Sequence, residues 1–396
     1  MSIASSEEVV LFPESVLEAA SHPDPYPYYA ALLAYRPIYR EHRLNLWVAL
    51  GADSLSEILC SELCRVRPAA EPVPASIAGA PAGGIFQRVV RMNDGPRHAQ
   101  AKSAIGACLA AVDPAQLTAI ARRNAATLAS GLIEPRDIDA FSFTLPVQVI
   151  AEMIGLPERA AIRCAVLIGD FVRCLSPLSG PSDIARSNEA ASALLEILRE
   201  ELRQPHHGGL AMNAERLQSL GIDEIDAVLA NLIGFMSQTY EATAGLIGNT
   251  LLALARNAAI RRRVAGDDAL LERVIEEVAR HDPPVHNTRR FVAQDCIIAG
   301  EAMKQGDQIL VVLAAANRDP ALHAQPHLFD PDRADRRSFT FGAGRHACAG
   351  PAIAASIAAA GIQALIEHGL DVASLARSVQ YRRSINSRVP LFGGSS

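Results

Sequence analysis

Phe341-Gly342-Ala343-Gly344-Arg345-His346-Ala347-Cys348-Ala349-Gly350 is the stretch that decides how this chain is read. It sets one cysteine among small residues, shortly after Arg345 and His346. A thiolate that holds a metal needs positive neighbours and close backbone amides, because both favour the charged form. Gly342, Gly344 and Gly350 let the backbone approach a bulky planar group and take dihedrals that a side chain forbids. Pro351 follows, and the apolar run 352–366 reads as a helix. Cys348 therefore stands where a loop enters a helix N-terminus, whose partial positive charge favours an anionic ligand.

The 396 residues around this loop are 49% hydrophobic and 20% charged, a soluble globular composition. A chain of that length buries roughly three quarters of its unfolded surface, enough to hide a large cofactor. The net charge of −6 is spread without basic or acidic blocks, which argues against nucleic acid as a partner. The seven cysteines are odd in number and irregular in spacing, so no disulfide framework is expected and a reducing cytoplasm fits. Cys60 and Cys64 lie one helical turn apart with no His or Cys beside them, which is not a zinc pattern. The first residues are polar and acidic, with no signal-peptide core, and no run of about 18 apolar residues follows. No membrane anchor is expected.

Helical patterns dominate. Helices are expected at 26–35, 52–61, 97–111, 114–130, 146–154, 158–175, 183–202, 223–256 and 268–281. Residues 38–50 read as a hairpin of strands, and 288–292, 296–299 and 308–313 as further strands. Residues 67–84, full of Pro, Ala and Gly, read as a loop or short irregular helix, and 204–209 as a mobile connection. The stretch 223–256 is apolar nearly all round, so it should run through the interior. The expectation is one domain over 1–396, mainly α with a small β region, in which 1–20 is a flexible N-terminal segment.

The cysteine loop resembles the haem-thiolate loop of the cytochrome P-450 family, Phe-Gly-x-Gly-x-His/Arg-x-Cys-x-Gly, at every fixed position. The resemblance runs from Pro23 to Leu391, with the motifs in the right order. It implies a single triangular helical domain around a buried haem b (iron protoporphyrin IX). Cys348 would be the axial iron ligand, Phe341 and Gly342 would cradle the cofactor, and His346 would reach a propionate. His98 and Lys102, four apart on one helix face, resemble the family's His-x-x-x-Arg with lysine in place of arginine, and Arg290 resembles its propionate arginine, with Arg289 one residue away. Lysine keeps the charge but loses bidentate geometry. Glu277 and Arg280 match the family's Glu-x-x-Arg, with Arg333 at the position of the third, meander partner. Their role would be folding and haem retention.

The long helix departs from the family pattern, which there reads Ala-Gly-x-Asp/Glu-Thr. Here Gln238-Thr239-Tyr240-Glu241-Ala242-Thr243 keeps the acid as Glu241 and puts alanine at the alcohol position. Protons must reach the space over the haem, and Ala242 cannot hold them. Glu241 is read as the acid that feeds them. Gln238 and Thr239 lie four and three residues before Ala242 and can share its face, replacing the missing hydroxyl together with water or a substrate hydroxyl. Thr243 is offset by about 100° and reads as a poor substitute.

By the same resemblance the substrate pocket draws on 75–86, 232–241, 285–287 and 384–386, including Val285, His286, Asn287 and Ile385. Polar groups in an apolar cavity fix orientation, so a substrate with a few hydrogen-bonding groups is expected. No dinucleotide fingerprint or cysteine cluster is present, so electrons from NAD(P)H must arrive through a ferredoxin or flavodoxin and its reductase. Arg97, Arg336, Arg337 and Arg345 could form a basic patch that steers such a partner. The resemblance implies a cytoplasmic monooxygenase that hydroxylates a small, biosynthetic organic substrate. Alternatives are an atypical enzyme that uses peroxide, a substrate-assisted relay or oxidative coupling, and a haem protein without turnover.

Overall fold

The computed structural model describes residues 12–131, 134–204 and 208–394. Its axis is the helix Ile225–Arg256, 32 residues long. Val228, Leu229, Ile233 and Met236 are buried in its first half, and Leu246, Ile247 and Leu251 in its second. Residues 237–242 between them are only half-buried, because there the helix borders a cavity. Helices Pro135–Met153, Asp268–His281 and Pro351–Glu367 pack against it. Close packing fixes one glycine: a Cβ at Gly245 would stand 2.7 Å from Pro284 Cβ and 2.9 Å from the Arg388 carbonyl oxygen.

The other helices are Tyr26–Tyr35, Ala52–Cys60, Pro81–Arg88, Gly95–Ala110, Pro114–Ala129, Glu158–Phe171, Pro181–Arg203, Gly208–Ser219, Ala258–Val264 and Leu313–Ala316. Most lie within a few residues of expectation. The helix expected to start at Pro146 instead starts at Pro135 and runs through Pro146, which is buried in its interior. Pro135 has no amide hydrogen to leave unbonded in the first turn, and the Asp137 carboxylate accepts from the Glu134 N–H at 2.7 Å, closing the start. Helices Gly208–Ser219 and Ala258–Val264 were not anticipated. Of the expected connection at 204–209, residues 205–207 lie outside the described residues.

Nine strands are described: β1 Ile38–Glu41, β2 Leu46–Ala49, β3 Cys64–Arg65, β4 Thr288–Val292, β5 Cys296–Ile298, β6 Glu301–Met303, β7 Gln308–Val311, β8 Gln380–Tyr381 and β9 Pro390–Leu391. The main sheet runs β1-β2-β7-β4-β3, so early and late parts of the chain share one sheet. Only β2 and β7 pair in parallel, with Trp47 opposite Ile309. In the antiparallel pair β4–β7, Arg290 lies opposite Ile309 and is held at a fixed register. One face of this sheet buries Leu55, Ile58, Ile309 and Val311, and the other Tyr29, Val48, Leu310 and Val312.

Of the segment expected to be flexible, residues 1–11 lie outside the described residues, whereas Val16, Ala19 and Ala20 are buried. Arg388, near the other end, holds them there. Its guanidinium donates to the carbonyls of Ala20 (3.3 Å), His22 (2.6 Å) and Pro23 (2.9 Å) and pairs with Asp282 at 2.8 Å. No single helix among the described residues is long and apolar enough to cross a membrane.

Candidate active site

Gly342 and Gly344 take φ of 70° and 63°, the left-handed region where a side chain is strained. At Gly344 a Cβ would also stand 2.8 Å from the Leu59 carbonyl oxygen. These turns bring the loop back so that the Cys348 N–H donates to the Phe341 carbonyl at 2.7 Å. The Gly350 N–H then donates to Cys348 Sγ at 3.3 Å, as the chain enters helix Pro351–Glu367. Cys348, Phe341 and Gly342 line a cavity of about 860 Å³ whose opposite wall is the long helix.

Basic side chains gather on the same cavity. Helix Gly95–Ala110 presents His98 and Lys102 on one face. The His98 ring lies 4.2 Å from that of His346, whose Nε2 is 3.0 Å from Asp94 Oδ1. Burial, aided by His346, pushes His98 down to about 4, so it is neutral near pH 7. Lys102 Nζ donates to the Ala347 carbonyl. Arg290 is buried; it donates to the Arg289 carbonyl at 2.8 Å and to Thr288 Oγ1 at 3.3 Å, while its Nε has no partner. All four cavity-facing groups converge from a helix, a strand and the cysteine loop.

Behind the loop, Glu277 and Arg280 are fully buried and joined by two bonds, of 2.8 and 2.6 Å. Arg280 also donates to the carbonyls of Asn317, Pro326 and Leu328. Arg333 approaches Glu277 at 3.7 Å and donates to the carbonyls of Ala324, Gln325 and Leu328. The three residues are therefore together, and they staple the segment that precedes the cysteine loop to helix Asp268–His281.

On the long helix the cavity face is Phe235, Gln238, Thr239, Ala242, Thr243 and Leu246. Their spacing of three and four is that of one helical stripe. Thr243, expected to be turned away, belongs to this stripe, because a stripe is wide enough for neighbours 100° apart. Its Oγ1 lies 2.8 Å from Thr239 Oγ1. Gln238 Nε2 donates to the Gly234 carbonyl at 2.8 Å. Glu241, expected to feed protons to the cavity, falls outside the stripe. It pairs instead with Arg382 and accepts from Ser387 Oγ at 2.9 Å.

Val285, Asn287, Ile385 and Asn386 line the cavity as expected, and Asn287 Nδ2 donates to the Ile385 carbonyl at 2.7 Å. His286 does not. It is the middle residue of an extended segment, so it points to the opposite side, where its Nδ1 meets Tyr29 Oη at 3.0 Å. The sequence reading missed Arg67, Glu71, Arg91 and the turn 174–177, which also line the cavity. An arginine beside Val90 and Met92 carries no periodic signal that would have singled it out. The expected basic patch is also corrected. Arg97 pairs with Glu224, Arg336 with Glu276 and Arg337 with Asp335, so carboxylates neutralise three of its members, and Arg345 donates to the Cys60 carbonyl.

The family model "Cytochrome P450" matches residues 210–368. The chain is 26% identical over 356 residues to the biotin biosynthesis cytochrome P450 of Bacillus subtilis, covering 87% of this chain and 89% of that protein. It is 27% identical to the cytochrome P450 monooxygenase PikC of Streptomyces venezuelae, covering 88% and 85%. Among solved structures, P450BioI in complex with an acyl carrier protein bearing hexadec-9Z-enoic acid superposes with a TM-score of 0.80 at 23% identity, over 92% of this chain and 96% of that one. Helices around a cavity with a thiol on its floor thus place the molecule in a class of cofactor-bearing oxidoreductases. The chain is similar to cytochrome P450 proteins, and that family's model matches it over residues 210–368. That family carries haem and takes electrons from a redox partner. The residues present fit haem: a thiol with an amide donated to it, a glycine-turned loop, and cations that include a buried guanidinium nitrogen without a partner.

Proposed function

We propose that this protein is a monooxygenase that holds haem b through Cys348 and hydroxylates a small biosynthetic substrate. Electrons from NAD(P)H would come through a ferredoxin or flavodoxin and its reductase. The observation that carries the reading is a single cavity with the Cys348 thiol on one wall and the Thr239–Thr243 hydroxyl pair on the other. When bound, the haem supplies the reductive activation of dioxygen. Cys348 would supply the thiolate that holds its iron, and Lys102, Arg290 and His346 would hold its propionates, with the His98 ring packed on that of His346. Charge-assisted bonds of that kind contribute roughly 1.5–3 kcal/mol each. Glu277, Arg280 and Arg333 keep the loop in place and touch no substrate.

The Thr243 and Thr239 hydroxyls hold the proton over the pocket that Ala242 cannot hold, and Gln238 orients water beside them. Asn287 and Asn386 give the substrate polar contacts in a wall otherwise formed by Phe235, Val285 and Ile385. The two relatives above, named for biotin biosynthesis and as a monooxygenase, agree with a biosynthetic role. The reduced, carbon monoxide-bound protein should show the red-shifted Soret band of thiolate ligation. If a purified Cys348→Ser protein binds haem with an unaltered spectrum, the assignment is wrong. Ala242 favours a second reading, peroxide use or oxidation without oxygen insertion. Product analysis with ferredoxin, reductase and NAD(P)H, against peroxide alone, separates the two.

A further inference from the structure

The cavity wall carries more positive charge than a haem accounts for. Arg67, Arg91, Lys102, Arg289 and Arg290 line it, against one carboxylate, Glu71. Most of these groups are engaged. Glu71 accepts from the Ala75 N–H at 2.8 Å, and Arg67 donates to the Pro72 carbonyl and to Asn93 Oδ1. Lys102 and Arg290 sit with His98 and His346 in the cluster that would hold the two propionates. Arg91 and Arg289 differ from these, since among the described residues neither side chain makes a hydrogen bond or an ion pair; of the two, Arg91 is the more exposed to the cavity. The Arg91 guanidinium stays charged at any working pH, and its charge acts on Cys348 and Arg290, which line the same cavity.

Its backbone is tied to the long helix. Arg91 lies in the turn Val90–Met92, and the Val90 N–H donates to Asn231 Oδ1 at 2.8 Å. Asn231 stands on the long helix and donates back to the Arg88 carbonyl at 3.2 Å. The turn is thus tied to the wall that carries Phe235 and Gln238.

We propose that Arg91 is the anchor for a substrate carboxylate, so that the enzyme acts on organic acids with the acid group held by Arg91 and the remaining carbon skeleton laid along the long helix. The proposal deepens the haem-thiolate reading and rests on it. Arginine suits the task because its planar fork binds a carboxylate through two parallel bonds.

The test uses the holoenzyme and two azole probes that differ in charge alone, 4-(imidazol-1-yl)benzoate and 4-(imidazol-1-yl)benzamide. Ligation of the iron by the azole gives a Soret shift with either probe, so affinity is read without turnover. Wild type should bind the benzoate roughly tenfold tighter than the benzamide. Arg91→Gln should abolish that preference, with benzamide affinity and haem content unchanged, and Arg91→Lys should restore part of it. Equal affinities in wild type, or a preference that survives Arg91→Gln, overturn the proposal. If Arg91→Gln instead loses haem, Arg91 serves a propionate and the proposal is wrong while the haem reading stands. If neither probe shifts the Soret band of a wild type that shows the carbon monoxide band, the proposal falls while the haem reading stands; absence of the carbon monoxide band sinks both.

Discussion

The hydroxyls of Thr239 and Thr243 satisfy one another across one turn of the long helix and leave a hydrogen or lone pair for a third partner in the cavity. Thr243→Ala should therefore uncouple the enzyme. Product formation should fall by on the order of 10²-fold, with more peroxide released per electron pair, while Thr243→Ser stays near wild type. Unchanged coupling in Thr243→Ala removes the pair from the relay. Glu241→Gln should leave coupling intact and cost at most about 1 kcal/mol, because its bond to Arg382 is partly solvated. A tenfold rise in peroxide from that variant would restore the acid to the proton path. The cysteine loop was legible at this scale because every residue in it is constrained locally. The partner of Glu241 was not, since Arg382 comes 141 residues later. Thr243 was misjudged by measuring its angle from one position instead of from a stripe, and His286 by overlooking the alternation of an extended segment.

Helices and loops transmit the placement of these residues. The Glu277–Arg280 pair is completely buried and binds the chain that leads into the cysteine loop. Glu277→Ala leaves Arg280 uncompensated and should cost about 3–5 kcal/mol, with haem lost on purification. Retention of haem with an unchanged denaturant midpoint would contradict this. Where helix Ile225–Arg256 meets the C-terminal segment, Gly245→Ala must push Pro284 or the Arg388 backbone aside and should cost about 1–3 kcal/mol. A wild-type denaturant midpoint in Gly245→Ala would show that the segment yields freely. Helix existence was readable from apolar spacing. The start of helix Pro135–Met153 was not, because Pro146 looks like a beginning and only tertiary burial keeps it inside the helix.

Across the molecule, pH acts through histidines that fold in neutral form. Burial, and after it Arg318, lowers His281 to about 3; burial, and after it Arg388, lowers His286 to about 3. In the unfolded chain both titrate near 6.5. Above that pH neither state binds the proton and stability is unaffected. Between about 6.5 and 3 only the unfolded chain binds it, so stability falls as pH falls, by up to about 1.4 kcal/mol per pH unit for each histidine. Urea midpoints at pH 7.5 and 5 should differ accordingly, and His286→Gln should flatten the difference. The same slope in wild type and variant would discount His286.

Arg388 has a consequence for biogenesis. The carbonyls of Ala20, His22 and Pro23 wait for a guanidinium encoded 365 or more residues downstream. Residues 20–23 cannot make these bonds until Arg388 has been synthesised, which makes their docking a late event in the life of each new molecule.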